Sequence, residues 1–177
     1  MFDPTIFENI KVVLEGAAYD LDAEGLVRIS GRNDVVDLAA MSRSYCLHFE
    51  LHGQEEGPTA EISLSAGTED LAAELLERKD RKPGCSLVLT FHGISLREPK
   101  DAERANHLVR SLWGPAPLVR QQITYEWGQE EAARTSRLTV DFQRSFDEQV
   151  IEDIPRLLEH LAKTLEQLSR SDDRTDS

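Results

Sequence analysis

The chain runs through one order of elements twice. From Leu26 to Lys79 it reads strand, short helix, strand, strand, helix, and from Ser86 to Ser169 strand, helix, strand, strand, helix. Short connections of this kind favour antiparallel neighbours, and helices interleaved among strands must bury an apolar stripe against the sheet. The order therefore predicts an α+β domain with an antiparallel or mixed sheet of about six strands and helices mainly on one face, built as two βαββα units. The first round plus the strand at Ser86 also spells βαββαβ, the ferredoxin-like order, as an alternative core.

The individual elements rest on hydrophobic period. Ile6, Ile10, Val13, Leu14 and Ala17 recur on one helical face, with Asp3 as the cap and Pro4 at the first helical position. Leu26–Ser30 alternates as a short strand, and Asn33 or Asp34 can cap a short helix running through Met41. Tyr45, Leu47, Phe49 and Leu51 alternate with Cys46, His48, Glu50 and His52, the pattern of a half-buried strand. Ala60, Ile62 and Leu64 form the returning strand. Thr68 then caps a helix whose buried face is Leu71, Ala72, Leu75 and Leu76.

In the second round, Leu87, Leu89 and Phe91 point one way, and Val88 on the other face suggests a central strand. A helix from Asp101 to Leu112 and the rigid loop Trp113–Pro117 follow. Val119, Ile123, Tyr125 and Trp127 mark one further strand, and Leu138, Val140 and Phe142 another, joined by a polar connection over Gly128–Ser136. The last helix has Ser145 and Glu148 at capping-box spacing. Its apolar face is Ile151, Ile154, Leu158, Leu161, Leu165 and Leu168, with Pro155 in the first turn or at a kink. A single domain is expected over residues 1–169, with a disordered polar tail over residues 170–177.

Charge narrows the partners. The formal net charge is −13, and residues 1–60, 61–117 and 118–177 carry −7, −1 and −5, so no third of the chain is basic. The one tight cluster, Arg78, Lys79, Arg81 and Lys82, follows a helix, where cations suit the negative end of the dipole. Nucleic acid is not expected as a partner. No apolar run approaches the roughly 18–20 residues that cross a bilayer. Asp3 and Glu8 precede Lys11, unlike the start of a secretory signal. Two cysteines, Cys46 and Cys85, do not make a disulfide framework, so a reducing, cytoplasmic setting with both thiols free is expected.

Two stretches have the residue types of a metal site. Asp20, Asp22 and Glu24, with Gly25 and Val27, fall at positions one, three, five, six and eight of a calcium loop. Position twelve is Gly31, which has no carboxylate, so the stretch reads as a solvated acidic turn. Cys46, His48, Glu50 and His52 share one face of their strand, and His92 could join them. Alternate residues on a strand stand nearly 7 Å apart, so a zinc site would need ligands from a neighbouring strand. Neither stretch is assigned a metal, and no cofactor is expected. No nucleophile elbow, Walker loop or dinucleotide fingerprint occurs. His107 and His160 lie on predicted helices.

Three functions fit this reading, in order. The first is a non-enzymatic intracellular domain acting through protein–protein contacts, self-association included, with the Trp113–Pro117 loop or a sheet edge as the contact. The second is an acidic domain that binds or senses a cation or small ligand, the ligand on an open sheet face lined by His48, His52, His92 and Glu126. The third is an enzyme whose site is assembled from scattered residues.

Overall fold

The structure, a computed structural model, describes residues 4–128 and 134–173. Its frame is a six-stranded antiparallel sheet covered on one face by helices. Helix α1 (Thr5–Ala23) leads into β1 (Val27–Asp37), β2 (Ser42–Leu51) and β3 (Thr59–Ala66). Helix α2 (Thr68–Leu75), β4 (Ser86–Leu96) and α3 (Pro99–Trp113) follow. The chain closes with β5 (Leu118–Thr124), β6 (Arg134–Asp141), a 3-10 helix at Glu148–Asp153, and α4 (Ile154–Asp173). The strand order is β1-β2-β3-β4-β6-β5, which leaves β1 and β5 as the two edges.

Burial follows the alternation. Tyr45, Leu47 and Phe49 of β2, Ala60, Ile62 and Leu64 of β3, and Leu87, Leu89 and Phe91 of β4 all turn to the helical side. There they meet Phe7, Ile10, Leu14 and Ala18 of α1, Ala105 and Val109 of α3, and Ile154, Leu158, Leu161, Leu165 and Leu168 of α4 in one core. Val88 faces the other way and is half-buried on β4, an interior strand of the sheet.

The second round has the expected βαββα order, whereas the first departs from it. The helix expected from Asn33 or Asp34 to Met41 does not form: β1 continues to Asp37 and a tight turn follows. β-Branched Val35 and Val36 favour the strand, and Asp37 shapes the turn by accepting from the Ala39 and Ala40 N–H groups at 2.9 and 3.0 Å. The first round is thus βββα, and the ferredoxin-like order is absent from it.

Other caps also differ from expectation. Gly67, not Thr68, precedes α2, and its N–H donates to the Asp70 carboxylate at 2.9 Å. Thr68 instead donates its hydroxyl to the Ala40 and Met41 carbonyls. Helix α2 buries Ala73, while Leu75 and Leu76 are 70% and 71% exposed, because this short helix lies at the margin of the core. Helix α3 begins at Pro99, with Asp101 accepting from the Arg97 and Glu98 N–H groups. Asp147 rather than Ser145 caps the final helical segment, accepting from the Gln149 N–H at 3.0 Å. Pro155 stands in the first turn of α4, where its missing N–H costs nothing. Helix α4 runs to Asp173, so the tail expected from Arg170 is helical there. Asp3 and residues 129–133 and 174–177 lie outside the described residues. Among the described residues no helix is long and apolar enough to cross a membrane.

Candidate functional site

The acidic stretch that matches part of a calcium loop is the end of α1. Asp20 and Asp22 are helical, Glu24 is the C-cap, and Gly25 takes the left-handed conformation (φ 75°). The Gly25 N–H donates to the Asp22 carbonyl and the Leu26 N–H to the Leu21 carbonyl, the paired bonds of a Schellman ending. The Asp22 carboxylate is engaged as well, accepting from the Ile29 N–H at 2.8 Å. This motif reverses the chain and starts β1.

The open sheet face brings together a different set from the one expected. Register places His48 opposite Glu61 and Glu61 opposite Thr90. Glu61 Oε2 lies 3.4 Å from His92 Nε2 and 3.6 Å from His48 Nδ1. His92 foremost, then His48, holds the Glu61 carboxyl below its ordinary 4.5 despite the burial that opposes it. Cys46 is one step along the same face, its thiol 3.4 Å from the Ser63 hydroxyl, and Glu50 pairs with Arg28. His52 falls in the turn after β2, and Glu126 follows β5 at the far edge, so neither joins the histidine pair. Among the described residues no group of three or more His, Cys, Asp or Glu side chains has metal-binding geometry. His160 contacts the Leu112 carbonyl at 2.9 Å and packs on Trp113, while His107 is an exposed residue of α3.

A cavity of about 450 Å³ opens between the end of β2 and α4, lined by Leu26, Leu51, His52, Ala162, Lys163 and Glu166. Leu26, Leu51 and Ala162 give it an apolar lining, and His52, Lys163 and Glu166 a polar and charged one.

At the β1 edge, every residue from Arg32 to Asp37 is exposed. A β-bulge at Ser30 separates Ile29, opposite Phe49, from Gly31, opposite His48. Beyond it the strand pairs with β2 without interruption to Asp37, contains no Pro, and carries Arg32, Asp34 and Asp37 as its charged residues. Helix α1 lies along this edge. Glu15 Oε1 accepts from Arg32 Nη1 at 2.6 Å, and Lys11 Nζ stands 2.6 Å from Asp34 Oδ2. Of the twelve exposed large apolar residues among the described ones, seven fall in α1, β1 and the turns that flank β1: Val12, Tyr19, Leu26, Val35, Val36, Leu38 and Met41. Hydrophobic period could not reveal this edge, because exposure of Val35 and Val36 depends on which strand lies beside them.

Compared with family models, with curated proteins and with solved structures, the chain finds no match.

Proposed function

We propose that this is a non-catalytic, intracellular domain that works through protein–protein contacts and associates with itself along the β1 edge. The observation that carries this reading is the gathering of exposed apolar residues beside an edge strand that, beyond its bulge, pairs without interruption from Gly31 to Asp37. A strand edge presents a row of N–H and C=O groups that a second strand satisfies, and the apolar flank supplies burial. The rival contact, the Trp113–Pro117 loop, is less available. The Trp113 ring packs edge-on against His160 and Phe142, and its side chain is turned into the molecule. Two free cysteines suit a reducing, cytoplasmic setting.

Sedimentation equilibrium over a wide concentration range tests the reading. It predicts a reversible monomer–dimer equilibrium. A monomer mass at every concentration would remove self-association from the account.

The cavity between β2 and α4 favours a second reading, a small-ligand sensor, because an apolar lining with a few charged groups is the usual make-up of a ligand pocket. A ligand held there would raise the melting midpoint of wild-type protein and lose that effect in Ala162→Trp.

A further inference from the structure

The bulge at Ser30 sets which side each later residue of β1 faces. Gly31, Asn33 and Val35 lie opposite His48, Cys46 and Ser44 on the open face. Arg32, Asp34 and Val36 lie opposite Leu47, Tyr45 and Arg43 on the helical side. When two antiparallel strands pair, directly opposed residues point to the same side of the sheet. A two-fold pairing of β1 with a second β1 must therefore place one residue on the axis and oppose its neighbours symmetrically.

Charge discriminates among these registers. With Arg32 on the axis, two guanidinium groups oppose each other, and with Asp34 on the axis two carboxylates do. Both are unfavourable for directly opposed residues. An axis at Gly31 drives the pairing into the bulge, and one at Val35 leaves Arg32 opposite Leu38. With Asn33 on the axis, each Arg32, paired within its own copy with Glu15, faces the other copy's Asp34, held by Lys11 and Arg43, so opposite rather than like charges are opposed; each Gly31 opposes a Val35, and two neutral amides meet at the centre. We infer that two copies of this chain pair antiparallel through β1 with Asn33 on the two-fold axis, extending the two six-stranded sheets into one.

The helical layer agrees. Glu15 bonds to Arg32 and Lys11 to Asp34, so the part of α1 between them is level with Asn33. The edge-facing residues of α1 there are Lys11 and Glu15, which the pairing brings beside the axis. The acidic chain thereby associates at the one edge where its cations and anions alternate in a self-complementary order.

This inference rests on the self-association proposed above, and its test separates the two. Asn33→Lys and Asn33→Asp are made individually and studied alone and mixed, by sedimentation equilibrium and native mass spectrometry. Circular dichroism confirms the fold, which an exposed edge position does not threaten. Each variant alone should dimerise about tenfold more weakly than wild type or worse, because like charges oppose each other on the axis. The equimolar mixture should recover a heterodimer. If wild type dimerises while both Asn33 variants dimerise equally well alone, or if their mixture gains nothing, the register is wrong although self-association stands. If wild type never dimerises, the proposal beneath it fails too.

Discussion

Arg43 holds the Asp34 carboxylate across the β1–β2 pair with two hydrogen bonds, Nε–H to Oδ1 at 3.1 Å and Nη2–H to Oδ2 at 3.0 Å. The same guanidinium lies over the Phe7 ring at 4.9 Å and reaches Glu8 at 2.8 Å, so it ties α1 to the edge of the sheet. Arg43 first and Lys11 after it hold the Asp34 carboxyl below its ordinary 3.8.

Asp34→Asn should therefore destabilise the dilute, monomeric protein by about 1 kcal/mol near neutral pH, a figure kept low because Asp34 is partly exposed. Folded Asp34 releases its proton more readily than the unfolded chain does. Its contribution is whole above pH 3.8 and is lost as the pH falls through the lower, folded value. Urea titrations of both proteins across the acid range should show the gap between them closing below pH 3.8. A gap that persists unchanged would place the stabilisation elsewhere.

Two glycines should respond to alanine with opposite signs. A Cβ on Gly84 would stand 2.6 Å from the Phe146 carbonyl oxygen and collide with the Ser145 hydroxyl. That carbonyl accepts from the Cys85 N–H at 2.8 Å, so the bridge between the two segments must give way. Gly84→Ala should cost about 1–3 kcal/mol. Gly16 is an exposed residue within α1 with nothing within 4 Å of a new Cβ, and Gly16→Ala should gain about 0.5–1 kcal/mol. Denaturation midpoints that move the same way in both variants would contradict this packing.

The apolar seam of α4 suits either a core or a coiled-coil partner by sequence, and the fold assigns it to the core. Leu161, on the sheet-facing side of α4, is 1% exposed. Leu161→Glu should abolish folding by circular dichroism, since it buries a charge without a partner, and Leu161→Ala should cost about 2–5 kcal/mol. A folded, soluble Leu161→Glu monomer would show that the seam is an interface.

The elements that were legible in the sequence are those in which local period and burial agree. Tyr45, Leu47 and Phe49 alternate because their neighbours on the strand face open solvent, and Leu158, Leu161 and Leu165 recur because α4 lies flat on the sheet. Asn33 and Asp34 misled for a physical reason: the side chains that cap helices also serve in strands when a distant partner holds them. The partners of Asp34, Lys11 and Arg43, are remote from it in sequence. Leu75 and Leu76, at the end of α2, are left exposed among the described residues, since α2 ends at the margin of the core. On the open face, His48 and His92 were legible as companions. Glu61 between them was not, because that required knowing that β3 lies between β2 and β4. The β1 edge was hidden in the same way.

The two thiols should differ in reactivity. Cys85 is buried in the core, and that burial pushes its thiol up to about 12, whereas Cys46 is half-buried on the open face beside Ser63. A thiol reagent at mildly alkaline pH should label Cys46 first and Cys85 only as the protein unfolds. Two free thiols should be counted in denaturant without reductant. Equal labelling rates in the native state would mean that Cys85 is not enclosed.

The β1 edge is tested most directly by amide hydrogen exchange on wild-type protein at low and high concentration. Self-association through β1 predicts that peptides covering Gly31–Val35 exchange more slowly at high concentration, while peptides covering β5, the other edge, exchange alike at both. Equal exchange of β1 at all concentrations, or slowing confined to β5, would contradict the account.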